Sequence, residues 1–585
     1  MEATTDIAKR AQAALDRGDT FAAYDIAARD DGTGGAELAY LRVLTLARLG
    51  DWRNALTQYE EEGLGHFGDV DSLALKARLL KDQAFNDGGE ARGEILREAR
   101  DAYLAAYDRT GDDFAAINAA SLSSMIGDGV AAAELSRALL RRTGGSQGLT
   151  GYWGAANRAE ALTILGRFDE ARAVLEIAAR LPDASVAARS STFRQLERLL
   201  EHAAIDAHAA ELLLDPIRPR RVAHFCGSML AAGDSGETRL AEEVARALRE
   251  ENVGIAFGAL ACGADILIAE QALALGIELH VVFPFDRNDF VQASVITGGE
   301  QWLPRYKHCL AGATAAYAAS AMRFVDDDEQ FAFGSRTAMG MARLRARRIH
   351  ADTVQIAVTD DPAARGSAGT AADIAVWRAA GGRTCLLPAM GIERPARSKV
   401  PAAGRDHNQR ALRVLVFADF QGFSKLPEPA IPRFWQGVMA SCADVLALHA
   451  GSILAANTWG DGLHLVFDRV EAAAAALLDL RDRLSALDPG DFGAAEVTGM
   501  RIAAHFGSVY EMIDPVTGRP NFYGSEVSRA ARLEAVTPPG QVYVTEPMAA
   551  AIEMACAESF ASRYVGRLSL PKNFGIEPIY ALERS

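Results

Sequence analysis

FADFQGFS (417–424) and NTWGDGLHLVF (457–467) decide how this chain is read. In the first, the apolar run Val414, Leu415, Val416 and Phe417 predicts a buried strand that delivers Asp419 at its end. In the second, Trp459-Gly460-Asp461-Gly462 interrupts two strand-like runs and predicts a hairpin turn with Asp461 at its tip. If those strands are neighbours, the two carboxylates converge on one spot. Two such aspartates can hold two divalent metal ions, Mg2+ or Mn2+, as a clamp for phosphoryl chemistry on a nucleotide. An isolated aspartate after a strand is ordinarily a turn residue, so the weight rests on the pair and its flanks.

Working outward, NFYGSEVSRAARLE (521–534) supplies a turn, a helix and two arginines. The surrounding pattern predicts a strand at 412–418, a helix at 428–448, a hairpin at 451–467 and a helix at 470–486. Strands at 500–506 and 508–512, a helix at 525–534, a strand at 541–544 and terminal strands follow. That order is a ferredoxin-like βαββαβ core with additions. The three motifs, in this order across 410–585, resemble the catalytic domain of class III nucleotidyl cyclases.

The resemblance implies a role for each matching residue. Asp419 and Asp461 match the two metal-binding aspartates, and the carbonyl of Phe420 matches a backbone metal ligand. Gly422, Phe423 and Ser424 fall where the loop wraps a triphosphate with backbone N–H groups. Arg532 matches the arginine that meets charge on the α-phosphoryl group in the transition state, and Lys572 the base that contacts the leaving phosphates. Arg529 lies three residues from Arg532 on nearly the same face, but the resemblance favours Arg532. Three positions depart from the common adenylate-forming pattern. Asn457 replaces a base-reading Lys, Asn521 replaces an Asp that accepts from the adenine amino group, and Ser528 replaces an Asn beside the arginine. An amide both donates and accepts, so the Asn457 and Asn521 pair is compatible with more than one base. His505, in an apolar strand, reads as a core histidine and Trp459 as packing.

Upstream, residues 217–390 alternate strands with helices and predict a Rossmann-like parallel sheet. FCGSML and GALACGADILIAEQALALGIELHVVFPF resemble SLOG-type Rossmannoid sensors, which implies a nucleotide-derived regulatory ligand. Gly227, Ser228, Gly258 and Gly263 are the candidate contacts, with Asp265 nearby; such glycines also occur as plain strand-to-helix turns. Residues 391–409 combine Pro, Gly, Ala and charge without periodicity and predict a linker.

Residues 1–210 are helical throughout in pattern. AYLRVLTLARLGDWRNALTQYEE (39–61) and AEALTILGRFDEARAVLEIAARL (159–181) share a Leu-Gly turn, an aromatic, then Ala-Leu or Ala-Val. That chemistry resembles tetratricopeptide repeats, which implies a surface for a peptide or protein partner; a general helical bundle is the plainer alternative. The whole is thus a multidomain chain of α, α/β and α+β parts.

Composition excludes other classes. Hydrophobic content of 49% with 24% charged residues argues against disorder, and a net charge of −16 disfavours nucleic-acid or anionic-membrane partners. No apolar run approaches the roughly 20 residues that span a bilayer, and the start MEATTDIAKRAQ lacks a secretory core. Six scattered cysteines fit reduced thiols, so a cytoplasmic location is expected.

The functional expectation is a cyclase that converts a nucleoside triphosphate, ATP by default, to a 3′,5′-cyclic nucleotide and pyrophosphate. The resemblance implies two metal ions, a head-to-tail homodimer and control by the upstream domains. A cyclase for GTP or a pyrimidine triphosphate, and a non-catalytic nucleotide-binding scaffold, are the alternatives.

Overall fold

The structure, a computed structural model, describes residues 2–17, 19–28, 35–67, 69–86, 89, 91–142, 151–233, 236–363, 366–389, 391–395, 410–488, 490 and 499–585. Residues 396–409 of the predicted linker lie outside the described residues. The chain divides into one unit of 1–219 with 348–351 and a second of 220–347 with 352–585.

In the first unit, helices turn where the Leu-Gly pairs predict. Gly50 takes φ +85 after the helix Gly35–Arg48, a conformation that a side chain would strain. Asp51 then caps Trp52–Glu61 by accepting the Asn54 N–H. Gly166, at φ +73, makes the equivalent turn between Gly151–Ile164 and Phe168–Ala178. The helical pattern runs past the predicted boundary at 210, because Ala207–Leu214 buries Leu213 and Leu214 in the same core as Leu162 and Leu175.

The second unit opens with β1 (Arg221–Gly227), β2 (Val253–Gly258), β3 (Glu278–Phe283), β4 (Ala315–Ala318), β5 (Thr353–Val358) and β6 (Thr384–Leu387). They form a parallel sheet in the order β4-β3-β2-β1-β5-β6. The order reverses at β1, so a crevice opens at the carboxyl ends of β1 and β5. A 21-residue helix, Asp328–Arg348, has no counterpart in the sequence expectations. It is buried on several sides although its sequence mixes apolar residues with polar ones and arginines, Gln330 and Arg345 among the buried positions. Gly334 lets it close on Pro284, where a Cβ would come within 2.5 Å. Gly340 lets it close on the carbonyl of Ala550, where a Cβ would stand 2.2 Å away.

The last third forms β7 (Arg410–Phe420), β8 (Ile453–Trp459), β9 (Gly462–Phe467), β10 (Met500–Ile513), β11 (Pro520–Tyr523), β12 (Val542–Thr545), β13 (Phe560–Leu570) and β14 (Gly575–Arg584). The sheet runs β13-β14-β12-β10-β7-β9-β8, with β11 paired to β10. β10 is one continuous strand where the sequence suggests two. Gly507 does not break it; the residue is small because a Cβ there would meet His505 and Glu526 within 3 Å. The helices Ser525–Glu534 and Glu546–Ala555 follow, the second unanticipated.

The two sheets of this unit share a buried polar junction. Glu526 accepts from Ser320 Oγ at 2.6 Å and lies 2.7 Å from His505 Nε2, while His505 Nδ1 contacts Thr545 Oγ1 at 2.7 Å. Arg529 adds a guanidinium 3.5 Å from the same carboxylate and donates to the Ala319 carbonyl at 3.3 Å. Phe333, on the long helix, meets His505 and Phe506 edge-on or tilted at 6.3 and 6.2 Å. Arg347 lies 3.0 Å from Glu553.

Burial alone raises the Glu526 pKa, but Arg529, His505 and Ser320 outweigh it and bring the carboxyl from 4.5 to about 2. A depressed carboxyl stabilises the fold above its unfolded pKa and loses that contribution as pH falls through the folded value. Wild-type protein should therefore lose stability between about pH 4.5 and 2, a loss absent from Glu526→Gln. Chemical denaturation at stepped pH measures it, and parallel profiles for the two proteins would remove Glu526 from the account.

Candidate active site and central cavity

The β7 strand ends where its ladder with β9 stops, and the β8–β9 turn folds back over that end. Asp419 and Asp461 thereby meet. The Asp461 carboxyl is close enough to Asp419 and to the Phe420 backbone for both to bear on its charge, and a Cβ on the adjoining Gly462 would stand 3.7 Å from Asp419 Oδ1. Burial and the neighbouring Asp419 charge push Asp461 up to about 6. Two like carboxyls in contact repel unless a proton or a cation stands between them, so the donor set fits divalent cations. Phe420 is buried, its ring edge-on to Phe434 at 5.1 Å, which fixes the backbone that carries its carbonyl. Among the described residues no cluster of three or more His, Cys, Asp or Glu could hold a metal, so any ion here relies on two carboxylates and backbone oxygens.

Sequence reasoning missed Arg501 and Glu534. Arg501 stands directly opposite Asp419 in the β7–β10 ladder. Its Nη2 lies 2.5 Å from Asp419 Oδ2 and 2.9 Å from Glu534 Oε1. Only the antiparallel register reveals this partner, although an arginine inside MRIAAHF was a visible signal.

Gly422 takes φ +93 and starts the short turn Phe423–Lys425, on which Phe423 is half-buried and Ser424 exposed. Arg532 and Ser528 are one turn apart on Ser525–Glu534 and so share a face. The Arg532 guanidinium lies 6.0 Å from the Phe574 ring, and its buried Nε has no hydrogen-bond partner among the described residues. Lys572, exposed at φ +58 in the β13–β14 turn, is two residues from that ring. Arg529, by contrast, is engaged by Glu526, Glu577 and the Ala319 carbonyl. Asn457 is half-buried on β8, facing His464 across the hairpin. Both ends of the Asn521 amide are engaged: Oδ1 accepts from the Phe522 N–H at 2.9 Å, and Nδ2 donates to Tyr523 Oη at 3.3 Å. Trp459, Phe417 and His464 cluster as near-parallel rings, with His464 at centroid distances of 5.9 and 4.5 Å from the other two and those two 6.4 Å apart. His505 is fully buried, with both ring nitrogens in contact with protein partners.

In the Rossmann-like sheet, a cavity of about 620 Å3 lies at the crevice between β1 and β5. Gly227 and Ser228 line it, and Ser228 Oγ lies 3.2 Å from Thr359 Oγ1 across the two strands. Gly258 is closed off by Phe225, its carbonyl oxygen 2.6 Å from where a Cβ would stand. Gly263, at φ +94, caps Ala264–Ala274 and packs on the Leu230 backbone. In the helical unit, Lys81 is buried with Nζ 3.1 Å from Asn118 Oδ1 and 3.3 Å from Gln195 Oε1. Burial brings that ammonium down to about 8. No helix of the described residues is long and apolar enough to cross a membrane.

The comparisons with known proteins follow this division. Residues 9–123 match the family model TPR-S, Tetratricopeptide Repeats-Sensor. No curated protein matches the chain. Among solved structures, the adenylyl cyclase CyaB from P. aeruginosa is 18% identical, with 31% of this chain and 97% of that one covered and a TM-score of 0.27. The guanylate cyclase domain of RhGC from Catenaria anguillulae is 14% identical, covering 30% and 98% with a TM-score of 0.26. An adenylate cyclase structure from Trypanosoma brucei is 19% identical, covering 29% and 87% with a TM-score of 0.25.

Proposed function

We propose that the last third of the chain is a nucleotidyl cyclase, forming a 3′,5′-cyclic nucleotide and pyrophosphate from a nucleoside triphosphate. The observation that carries this reading is the meeting of Asp419 and Asp461, with Phe420 fixed between them in sequence. In the reaction the ribose 3′-oxygen bonds to the α-phosphorus, the bond from that phosphorus to the β-bridging oxygen breaks, and the hydroxyl proton goes to solvent. Divalent cations bound by Asp419, Asp461 and the Phe420 carbonyl would supply Lewis acidity to the attacking and leaving oxygens. Arg532 has an unpartnered buried Nε and can donate to the α-phosphoryl oxygens as charge gathers there. Ser528, one turn earlier, is within the same helix face to steady the ribose. Gly422, Phe423 and Ser424 offer backbone N–H groups to the triphosphate, and Lys572 an ammonium to the leaving phosphates.

The active form in this reading is a head-to-tail homodimer, with the aspartates of one protomer facing Arg532 of the other. The β10–β11 arm supports it, because Ile513 and Val516 are 62% and 91% exposed at its tip. Mixing Asp461→Ala with Arg532→Ala protein should restore about a quarter of wild-type activity, since half the random dimers carry one intact site. Product assays on the mixture measure this, and a mixture as inactive as either parent rules out the shared site.

Arg501 acts as a positioning residue, holding the Asp419 carboxylate through its Nη2. Arg501→Ala should lower activity and weaken Mn2+ binding by about 10- to 100-fold, as loss of an outer-shell partner commonly does. Calorimetric Mn2+ titration provides a readout separate from turnover; unchanged affinity would limit Arg501 to a structural role.

The substrate base is read in this proposal mainly by Asn457, because the Asn521 amide is committed to neighbours. ATP is the default substrate. Asn457→Lys alone should shift the ratio of kcat/KM values among ATP, GTP, CTP and UTP more than Asn521→Asp alone. The reverse ranking would return base recognition to Asn521.

A further inference from the structure

The cavity of the Rossmann-like sheet has a charge that its glycines do not foretell. Among the described residues its lining includes Asp265, Asp326, Asp328, Asp361 and Asp373, against one guanidinium, Arg394. Asp265 is 7% exposed, and among the described residues its Oδ1 has no hydrogen-bond partner while Oδ2 accepts from the Ala261 N–H at 3.3 Å. Asp373, also 7% exposed, accepts from Ser335 Oγ at 3.0 Å. Burial raises both carboxyls, Asp373 to about 7, so neither is at ease as an isolated anion.

Two helices begin at this cavity, Ala264–Ala274 and Thr370–Ala379, and helix starts attract anions. Each already carries its own aspartate in the first turn, Asp265 and Asp373 respectively. A helix start supplies about half a positive charge, so two of them offset about one of the five carboxylates. Even with Asp265 and Asp373 protonated, Asp326, Asp328 and Asp361 offset Arg394 and Arg336, the guanidinium whose charge also acts on Asp373. A phosphate entering here therefore gains no net attraction. A cation restores the charge of the buried carboxyls and gives Asp265 Oδ1 the donor it lacks.

We propose that this cavity binds a small cationic nitrogen compound, an alkylamine or a guanidine, between Asp265 and Asp373, and that the helix Asp328–Arg348 relays its presence to the cyclase sheet. That helix presents Phe331, Gly334, Ser335 and Ala338 to the cavity. Phe333 and Gly340, on the opposite side, meet His505 and the Ala550 carbonyl. A donor that takes Asp373 from Ser335 acts directly on this element, and Glu526 lies on the helix that carries Arg532. The ligand site stands apart from the cyclase reading; only the relay rests on it.

Isothermal titration of the full chain with agmatine, which has both an ammonium and a guanidinium, tests the site; putrescine and methylguanidine then tell the two sources apart. Inorganic phosphate and AMP serve as the anionic probes. Agmatine should bind saturably, and Asp265→Asn or Asp373→Asn should weaken it at least about tenfold. Arg394 is exposed, so Arg394→Ala leaves folding intact and discriminates by sign: a cation binds more tightly without it, an anion more weakly. No agmatine binding at millimolar concentration overturns the proposal. So does agmatine binding that both Asn variants leave unchanged, or AMP or phosphate binding that Arg394→Ala abolishes. Hydrogen exchange across Ser525–Glu534 reads the relay without turnover: slowed exchange on agmatine binding supports it, and unchanged exchange at saturation overturns it.

Discussion

The antiparallel ladder between β7 and β10 is the constraint on which the candidate active site depends. It runs unbroken from Phe420 opposite Met500 to Arg410 opposite Tyr510. Because side chains alternate along strands, this one register fixes which residues stand beside the metal-type carboxylates. It sets Arg501 against Asp419, and it brings His505 to the level of Leu415. A slip of one residue would turn Asp419 away from its guanidinium and His505 out of its junction with Glu526. With Ile502 to Val509 buried on both faces, burial alone does not choose the register; the His505–Glu526 and Arg501–Asp419 pairs penalise such a slip.

What the sequence made legible was local chemistry. Asp419 at a strand end and Asp461 in a Gly-Asp-Gly turn could be placed because strand and turn signals act over a few residues. The helix 525–534 matched the structure end to end, with its glycine just before it. The Leu-Gly turns of the helical region were equally readable, since Gly50 and Gly166 do adopt positive φ. Arg501 escaped because its meaning lies in a pairing about 80 residues distant along the chain. The Asn521 amide looked free for a base; only the folded β10–β11 hairpin brings the neighbours that occupy it.

The long helix Asp328–Arg348 was hidden for a different reason. Packed on two sides, it scatters apolar, small and charged residues around its circumference, so the 3.6-residue stripe that announces a surface helix is absent. Its glycines read as interruptions, whereas Gly334 and Gly340 mark the points of closest approach to Pro284 and Ala550. The central cavity repeats the lesson in electrostatic form. Gly227, Gly258 and Gly263 suggested a phosphate cradle, yet Gly258 and Gly263 are filled by Phe225 and Leu230. The aspartates that line the cavity come from segments scattered between 265 and 373.

The backbone approach at Gly340, together with the Glu526 junction, makes the last third of the chain an unequal candidate for exchange among proteins. Domains joined only by a tether can be recombined freely in evolution, because each keeps its own finished surface. Here Glu526 and His505 are finished by Ser320, just beyond β4, and by Phe333 on the long helix. This segment moved alone into a new chain would bring a buried carboxylate and histidine to the surface without their partners. The two sheets should therefore be inherited together, and relatives of this chain should carry changes at 320, 333 and 340 in concert with those at 505, 526 and 550.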